Sequence, residues 1–339
     1  MINRIYRLFD SKRIEMVQRE VNLDTENILI KPEYMSICAA DNRYFFGKRK
    51  KEILNKKLPM ALIHEAIGTI LYDPNKEFLP GQKVVIIPNI PSLHTNDIKG
   101  NYQKDSVFMS SGIDGFMQDI LSIRRDRVIL LPDDYSEIYV LSELVSVSIN
   151  AIDAFEKACN TKKEFLGIWG DGSVGFITGI VLKTLYPKAK IYSFGKNMRK
   201  IQLFSYSDKT FIINDIPKDI QLDHCFECVG GVGSEIAINQ MIDMINPQGC
   251  ISLLGVSEEP VSINTRVILE KGINIIGNSR SERCDFEKAI DLIHNNSFFV
   301  EYLKSIISQI IEINNESDIS YAFEQDISND FKTIIRWNI

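Results

Sequence analysis

Residues 165 to 185 read FLGIWGDGSVGFITGIVLKTL, an apolar run that ends in glycines and continues with helical spacing. Gly170, Gly172 and Gly175 form the pattern G-x-G-x-x-G, which predicts a strand that enters a helix through a tight turn. The second glycine would let a pyrophosphate approach the backbone, and the helix N-terminus favours negative charge. A second β-branched run at 190–194 follows the helix, as a βαβ unit requires. We therefore predict a dinucleotide site here, with a purely structural turn as the alternative.

The composition of the chain is that of an ordinary globular protein. Its 339 residues favour two domains, and 45% hydrophobic with 25% charged residues argue against disorder. The net charge of -6 argues against a nucleic-acid surface. The first residues, MINRIYRLFDSKR, lack the apolar core of a signal peptide, and no apolar run reaches the length of a membrane span. We predict a cytoplasmic protein with no nucleic-acid or membrane partner.

Six cysteines are too few for a disulfide scaffold in a chain of this length, so reduced thiols are expected. Cys225 and Cys228 form a C-x-x-C pattern, but the segment DHCFECVGG is typical of a buried strand that runs into a glycine turn. The two-residue period of a strand puts these thiols on opposite faces. We therefore predict that they have no redox role.

The order of the predicted elements divides the chain into two kinds of region. Up to about residue 140, short strands and turns predict a β-rich domain, with a long polar loop over 89–112. After the glycine turn, strands and helices alternate, which predicts a doubly wound parallel sheet. The predicted elements of that region are strands at 190–194, 210–213, 223–229, 250–255 and 273–277 and helices at 198–205 and 235–245.

His64 has the strongest case for chemistry among the histidines, because it precedes a carboxylate in the apolar segment LPMALIHEAIG. A lone His-Glu pair is more often structural than catalytic. Cys38 upstream and Glu143 downstream strengthen the case, since thiolate, imidazole and carboxylate are the ligands of a catalytic zinc that keeps a position open. From residue types alone, a zinc site and a set of unrelated structural residues stay open as alternatives.

These segments resemble the medium-chain, zinc-dependent alcohol and polyol dehydrogenases. SICAAD is similar to their G-I-C-G-S-D, IHEAIG to G-H-E-x-x-G, LSELVSVSINAI to E-P-L-S-V-x-x-H-A, and WGDGSVG to their coenzyme turn. SSGIDGFMQD resembles their glycine-rich strand G-G-F-A-E-Y. Longer segments, among them FECVGGVGS, AINQMID and LLGVSEEPVSINTR, resemble the ribulose-5-phosphate reductases that make ribitol 5-phosphate for teichoic-acid or capsule precursors.

The resemblance implies an α/β fold with a β-rich GroES-like catalytic domain and a Rossmann domain with a doubly wound parallel sheet. It places the active site in the cleft between these domains. The expected limits are 1–145 for the catalytic domain with its zinc site, 146–282 for the Rossmann NADP-binding domain and 283–339 for a return to the catalytic domain.

The resemblance also implies which residues act. The residues that correspond to the zinc ligands are Cys38, His64 and Glu65, with Glu143 as a fourth or exchanging carboxylate. Asp41 would hold a ligand imidazole in its tautomer. Tyr44 corresponds to an aromatic residue of the polyol pocket, with a core tyrosine as the alternative.

Two departures from the family pattern matter. Residues 89–112 contain no cysteine, so the four-cysteine structural zinc lobe is absent and one zinc is expected. Ala40 stands where the family usually has a Ser or Thr that passes a proton to the substrate oxygen. A zinc-bound water, Glu65 or a substrate hydroxyl must then supply the proton.

The coenzyme preference is predicted from the end of the second strand of the dinucleotide unit. NAD sites usually have an Asp or Glu about 20 residues after the glycine turn, where it accepts hydrogen bonds from the ribose. Gly195 occupies that position, no carboxylate stands there in the sequence, and cations follow, so NADPH is expected. An ordinary solvated helix start is the alternative for these cations and is the accepted interpretation for Lys196 alone. Arg199 and Lys200 are expected to contact the 2′-phosphate, because the resemblance places them near the family's ribose-binding lysine. The predicted coenzyme residues are Gly170, Gly172, Val174, Gly175, Gly195, Lys196, Arg199 and Lys200.

A basic run, KRKKEILNKK at 48–57, follows Cys38 closely. Such a run is usually a solvated loop or helix face, and a role in binding a substrate phosphate is the alternative. The cationic candidates for that phosphate are Arg43, Lys48, Arg49 and Arg280.

Taken together, these features predict NADPH-dependent reduction of D-ribulose 5-phosphate to D-ribitol 5-phosphate with one catalytic zinc, supplying CDP-ribitol synthesis for teichoic acid or capsule. One alternative is NAD-dependent oxidation of an unphosphorylated polyol such as sorbitol. Another is a non-catalytic dinucleotide-binding protein, which the set of metal-ligating residues disfavours. The expected partners are a cytidylyltransferase and further copies of the chain, as a homodimer or homotetramer.

Overall fold

The computed structural model describes residues 1–21, 26–94 and 98–339. These residues form two compact units. The first unit comprises Met1–Glu143 and Arg280–Ile339, and the second comprises Leu144–Ser279.

Strands dominate the amino-terminal part of the first unit. Its elements are β1 (Ile2–Asp10), β2 (Arg13–Glu20), β3 (Asn27–Ser36), α1 (Ala39–Phe45), α2 (Lys51–Lys57), β4 (Met60–Ala61), β5 (Glu65–Tyr72), β6 (Lys83–Ile86), β7 (Asn89–Ile90), β8 (Val107–Phe108), β9 (Leu121–Arg124) and β10 (Val128–Leu130). Short 3-10 helices cover Gly100–Tyr102, Arg125–Arg127 and Glu137–Leu141.

The helix α3 (Ser142–Ala158) leads into the second unit, in which strands and helices alternate. The elements that follow are β11 (Phe165–Trp169), α4 (Ser173–Leu185), β12 (Lys190–Gly195), α5 (Met198–Ile201), β13 (Lys209–Ile212), β14 (Leu222–Glu227), α6 (Ser234–Met244), β15 (Ile245–Leu253), α7 (Thr265–Lys271) and β16 (Asn274–Gly277).

The chain then returns to the first unit. Its last elements are α8 (Arg283–Asn295), α9 (Ser297–Ser305), β17 (Ile307–Ile313), α10 (Glu316–Asp326) and β18 (Lys332–Trp337).

The main sheet of the first unit is completed by this returning segment. Its strand order is β10-β6-β5-β3-β18-β17, and β9 also pairs with β3. Ser36, the last residue of β3, lies opposite Glu65 on one side and opposite Ile334 on the other. The register therefore brings the segment after β3, the start of β5 and the start of β18 to one end of the sheet.

The second unit is a six-stranded parallel sheet in the order β13-β12-β11-β14-β15-β16. This order, read from the first strand outward, is that of a doubly wound dinucleotide-binding sheet. The alternation of strands and helices in the sequence predicted this parallel sheet correctly. Apolar side chains such as Trp169 and Phe194, whose rings stack 3.9 Å apart, fill the core beneath the turn after β11.

Some local predictions were wrong. The hairpin of β1 and β2 was not predicted, because none of the side chains of β2 is buried and its sequence lacks a clear apolar face. The segment 89–112 is not a continuous loop, since β7 and β8 pair within it, although 95–97 lie outside the described residues. The helix predicted over 198–205 covers only Met198–Ile201.

One helical stretch, Glu137–Ala158, is long and apolar enough to cross a membrane by length and composition. Of its most apolar window, 78% is buried inside the protein. That degree of burial is typical of a core helix, so the stretch gives no support for a membrane span.

Cys225 and Cys228, the C-x-x-C pair, are both buried. Burial raises the pKa of both thiols above the usual range, which disfavours the reactive thiolate. The Cys228 Sγ atom lies 3.7 Å from Thr178 Oγ1, to which it donates a weak hydrogen bond.

Candidate metal and coenzyme sites

Three predicted ligands meet at the end of the main sheet in the first unit. One ligand atom from each of Cys38, His64 and Glu65 lies within 4.8 Å of the others. Cys38 precedes α1, whereas Glu65 begins β5, so the register around Ser36 accounts for their meeting. We call these three residues the metal cluster. Sulfur, imidazole and carboxylate donors at this spacing suit a zinc ion with a position left open.

Asp41 connects two of these ligands. Its Oδ2 accepts the Cys38 backbone N–H at 3.2 Å, and its Oδ1 lies 3.5 Å from His64 Nδ1. Ser110 Oγ donates to Asp41 Oδ1 at 2.8 Å. Burial alone would raise the pKa of this carboxyl, but His64 and the hydrogen bonds lower it below the usual value. Asp41 is therefore an ionised side chain held beside the imidazole, which is where the tautomer-fixing role would require it.

The backbone just before His64 is strained. Ile63 has a φ of 68°, in the left-handed region that a β-branched residue rarely adopts. Its N–H donates to Asp41 Oδ1 at 3.0 Å, and its carbonyl accepts the Phe116 N–H at 2.8 Å. A conformation that costs on the order of 1–3 kcal/mol is thus maintained by contacts around the metal cluster. Such strain often marks a functional site.

Glu65 is paired with a buried lysine from the other end of the chain. Lys332 Nζ donates to Glu65 Oε1 and to the Ile37 carbonyl, both at 2.8 Å. Burial lowers the pKa of Lys332, but the charges of Glu65 and Cys38 and the hydrogen bond to Glu65 together raise it more, so the net shift is upward and the ammonium stays charged. The bond fixes one oxygen of Glu65 and leaves Oε2 buried without a hydrogen-bond partner among the described residues.

The residues present fit a divalent cation. The unpartnered, buried Glu65 Oε2 belongs to the same cluster as a sulfur and an imidazole, so a bound cation would satisfy it. Burial lowers the pKa of His64, but Asp41 and Cys38 raise it more, and the net value is well above the usual one. The surroundings of His64 therefore favour the protonated, positively charged imidazole when no metal is bound.

Glu143 lies near the metal cluster but is not one of its three closely spaced residues. It is buried near the start of α3. Burial raises the pKa of its carboxyl above the usual range, and the negative charge of Glu65 adds to this, while His64 and Lys332 act in the opposite direction. Its role as a fourth or exchanging ligand stays a prediction.

Tyr44 is buried in the core of the first unit, on the same face of α1 as Asp41. The Arg49 guanidinium lies 4.4 Å from the centre of its ring. Lys48 is exposed and lies over the Phe46 ring instead, and Arg43 is half-buried in the last turn of α1. Lys48 and Arg49 thus lie over different rings, and the role of these cations in binding a substrate phosphate stays a prediction.

The Arg280 side chain makes hydrogen bonds within the first unit that give it a structural role. Its Nη1 donates to the Asn101 carbonyl and to Ser106 Oγ, both at 2.6 Å. This guanidinium therefore ties the start of the returning segment to the segment around residues 100–106. A role for Arg280 in binding the substrate phosphate stays a prediction.

In the second unit, the glycine turn has the predicted conformation between β11 and α4. Gly170 has a φ of 128°, which disfavours other residues. A Cβ atom at Gly175 would lie 2.0 Å from the Gly170 carbonyl oxygen, whereas one at Gly172 would meet none of the residues that the structure describes within 4 Å. Val174 is half-buried in the first turn of α4. Two glycines thus serve the backbone, and the space at Gly172 is open.

A cavity of about 570 Å3 opens at this turn. Its lining includes Gly170, Gly172, Gly195 and Lys196, together with the glycine-rich segment after β14. Arg199 is exposed and Lys200 half-buried, and neither is part of the cavity lining. Their backbone N–H groups donate to the Asn197 side chain, which caps α5.

The sequence has no carboxylate at position 195, but the structure places one beside Gly195. The Asp171 side chain, from the glycine turn, accepts the backbone N–H groups of Lys196 and Asn197 at 2.8 and 2.7 Å. A Cβ atom at residue 195 would lie 2.7 Å from Asp171 Cβ. Gly195 therefore makes room for an acidic side chain that lies on a different strand end.

Three residues of these sites were missed by the sequence reasoning. Ser110 lies in the segment SSGIDGFMQD, whose family resemblance was noted without a role for its serine. Asp171 occupies the first variable position of G-x-G-x-x-G. No pattern in the neighbouring sequence indicates its hydrogen bonds with residues 196 and 197. Lys332 begins the apolar strand in FKTIIRW. A single lysine in an apolar strand was the only sequence signal for pairing with a buried carboxylate.

Comparisons with known proteins agree with this arrangement. A family model described as an alcohol dehydrogenase GroES-like domain matches residues 24–133, and one described as zinc-binding dehydrogenase matches residues 193–295. These matches confirm the predicted fold class of a GroES-like domain with a Rossmann domain.

Full-length relatives are also found. Ribulose-5-phosphate reductase 1 of Staphylococcus aureus (strain NCTC 8325 / PS 47) is 47% identical over 339 residues, which cover 99% of each chain. Ribulose-5-phosphate reductase of Bacillus spizizenii (strain ATCC 23059 / NRRL B-14472 / W23) is 43% identical, with 100% of each chain covered. The crystal structure of S. aureus TarJ in complex with NADPH is similar with a TM-score of 0.88 at 43% identity, with 100% of each chain covered.

Proposed function

This chain belongs to the ribulose-5-phosphate reductases within the zinc-binding dehydrogenases, and from that premise we propose that it reduces D-ribulose 5-phosphate to D-ribitol 5-phosphate with NADPH and one zinc ion. The observation that carries the proposal is the metal cluster of Cys38, His64 and Glu65 in a chain that is similar over its whole length to such reductases. The product would supply CDP-ribitol synthesis for teichoic acid or capsule.

The residues of the first unit would hold the metal and the substrate carbonyl. Bound zinc supplies a Lewis acid for the C2 carbonyl, and bound NADPH supplies the hydride for C2. Cys38, His64 and Glu65 would bind the zinc, with His64 oriented by Asp41 through Nδ1. Lys332 would hold the Glu65 carboxylate in one orientation. Glu143 would serve as a fourth or exchanging carboxylate.

The new hydroxyl group at C2 needs a proton. Ala40 has no hydroxyl to pass one, and Ser110 Oγ already donates to Asp41. We propose that the proton comes from Glu65, from water or from a hydroxyl group of the substrate.

The second unit would bind NADPH at the glycine turn. The pyrophosphate would lie over Gly172, where the backbone has open space at the N-terminus of α4. Lys196 lines the same cavity and is the cation best placed to meet the 2′-phosphate. Because the Asp171 carboxylate lies beside Gly195, NADH must be compared directly with NADPH in any test of this preference.

The test is NADPH oxidation by the purified protein, measured with ribulose 5-phosphate, other ketose phosphates and the free ketoses, with zinc content determined on the same sample. We expect about one zinc per chain and the highest kcat/KM for ribulose 5-phosphate with NADPH. Equal or higher efficiency with a free ketose and NADH would instead support the unphosphorylated-polyol alternative. Binding of NADPH without turnover of any ketose would support a non-catalytic protein.

The remaining parts of the proposal concern location and assembly. We propose a cytoplasmic protein that forms a homodimer or homotetramer and associates with a cytidylyltransferase that consumes its product. Light scattering after size-exclusion chromatography tests the first association, and co-elution with a purified cytidylyltransferase tests the second. A monomer at all concentrations would contradict the oligomer.

A further inference from the structure

Two cations of the basic run lie at one aromatic ring. The Arg49 guanidinium lies 4.4 Å from the centre of the Tyr44 ring, and Lys57 Nζ lies 5.8 Å from the same centre. Arg49 comes just before α2 and Lys57 is its last residue, so both ends of this short helix direct a cation to Tyr44. Arg49, Lys57 and Tyr44 together are called the Tyr44 cation site below.

Two routes link Lys57 to Asp41, the carboxylate beside the metal cluster. Tyr44 lies one helical turn after Asp41 on the buried face of α1, and Asp41 Oδ1 lies 3.5 Å from His64 Nδ1. On the second route, Lys57 Nζ donates to Ser111 Oγ at 2.8 Å, and the preceding residue, Ser110, donates to Asp41. The Tyr44 cation site therefore lies beside the metal cluster but is not part of it.

No carboxylate pairs with Lys57 among the residues that the structure describes. Its one hydrogen-bond partner in this part of the chain is the neutral hydroxyl of Ser111. An ammonium has three donors, so this bond leaves two for another group. The side chain is half-buried, unlike that of its neighbour Lys56, which is exposed.

The geometry points to Lys57 and Arg49 as the residues that bind the substrate's phosphate, with the Tyr44 ring as the support that holds the guanidinium. This inference rests on the proposed function, because it assigns a phosphorylated ketose as the ligand. If the C2 carbonyl is at the metal, the phosphate on C5 must be bound beside the metal rather than on it. A dianion favours charge-assisted bonds from a lysine and a bidentate arginine. A guanidinium over an aromatic ring is stabilised by the ring's electrons.

A structural role is the competing explanation for Lys57. It lies in the last turn of α2, where a cation interacts favourably with the helix dipole. Lys56 occupies the same turn, so it provides a matched control. Lys56→Met removes the same charge from the same helix end without touching the Tyr44 cation site.

The experiment compares Lys57→Met with Lys56→Met in the zinc-containing protein, with NADPH and either ribulose 5-phosphate or ribulose. We expect Lys57→Met to lower kcat/KM for ribulose 5-phosphate about 10- to 100-fold, mainly through a higher KM, and to leave the value for ribulose unchanged. Lys56→Met should change neither value, and Lys57→Arg should restore part of the loss. Equal losses for both substrates, or no loss with Lys57→Met, would overturn the assignment.

Binding of inorganic phosphate provides a readout that does not require turnover. It should raise the midpoint of thermal unfolding of the unaltered protein and of Lys56→Met, and this rise should be smaller in Lys57→Met. If the unaltered protein fails to reduce ribulose 5-phosphate, the proposed function is wrong, whereas the phosphate readout still decides the assignment of Lys57. A phosphate effect of the same size in both variants would overturn it.

Discussion

The metal cluster and the glycine turn are built in different ways. The metal cluster is assembled from side chains of separate segments, and its member Glu65 is paired with Lys332, 267 positions away in the sequence. The glycine turn is assembled from backbone within a few residues, where Gly175 allows its neighbour Gly170 to come within contact distance. The metal cluster depends on charge and on side-chain hydrogen bonds, whereas the glycine turn depends on the absence of side-chain atoms where the backbone comes close to itself.

The difference predicts different consequences of substitution. A change in the metal cluster should alter metal binding and turnover more than folding, because Glu65 Oε2 has no hydrogen-bond partner within the described ranges of the chain. A change in the glycine turn should alter folding or coenzyme binding according to which glycine is replaced. The four predictions below test this contrast, from the largest expected effect to the smallest.

Replacing a metal ligand should have the largest effect. His64→Ala and Cys38→Ser each remove one of three ligands, so we expect loss of bound zinc and a fall in kcat of at least about 1000-fold, since a Lewis acid contributes several kcal/mol. Metal analysis and NADPH oxidation measure both. The control is His94→Ala, which changes an exposed histidine of the same unit. Full turnover of either ligand variant after treatment with a chelator would rule out the zinc chemistry.

Asp41→Asn tests the side chain that contacts a ligand without being one. The asparagine keeps the shape but removes the charge 3.5 Å from His64 Nδ1, so zinc affinity should fall about 10- to 100-fold. Competition with a fluorescent zinc chelator measures the affinity. Asp73→Asn is the control, because Asp73 is a buried carboxylate of the same unit that contacts Arg125 instead. An equal loss of affinity in both variants would argue against a specific role for Asp41.

The glycine turn is tested by two alanine substitutions. Gly175→Ala would place a Cβ atom 2.0 Å from the Gly170 carbonyl, so it should lower the free energy of unfolding by about 1–3 kcal/mol. The new methyl group of Gly172→Ala meets no atom of the described residues within 4 Å, and the φ of -97° is ordinary, so this substitution should leave stability unchanged. It should nevertheless weaken NADPH binding, because the methyl group occupies space that the pyrophosphate would use. Urea unfolding and NADPH titration separate the two effects, and unchanged NADPH affinity in Gly172→Ala would contradict the site.

Asp73 shows how a buried carboxylate behaves when its charge is matched within the fold. Burial alone would raise the pKa of Asp73. Hydrogen bonds from Arg125 and from loop amides have the larger combined effect in the opposite direction, and the resulting pKa is about 2. Since the folded pKa lies below the ordinary value of about 3.9, the stability that ionised Asp73 contributes is present above that value and is lost as pH falls toward 2. Asp73→Asn should therefore destabilise the protein by about 1–2 kcal/mol at pH 7.

The free energies of unfolding of Asp73→Asn and of the unaltered protein should become equal as pH is lowered below about 4. Urea unfolding of the two proteins at several pH values measures the difference in free energy of unfolding. Zinc content, measured on the same samples, is the second readout. A difference that stays constant down to pH 3 would show that the Asp73 charge is not responsible.

Much of the second unit could be predicted from the sequence. The glycine pattern, the β-branched strands and their spacing are local signals, because each reports the backbone conformation of a few neighbouring residues. Helix α5 and the surroundings of Gly195 could not be predicted in this way. The Asp171 carboxylate lies next to Gly195 only because β11 and β12 are adjacent in the sheet.

In the first unit, the sequence by itself determined the candidate ligands, since residue types and motif resemblance identified Cys38, His64 and Glu65. Only the tertiary structure decided that one ligand atom of each lies within 4.8 Å of the others. It also decided that Lys332 pairs with Glu65, that Ser110 bonds to Asp41 and that Lys57 reaches the Tyr44 ring. The physical reason is that a side chain's partner across a sheet is set by strand order and register, which depend on the packing of the whole unit and leave no sign in the neighbouring residues.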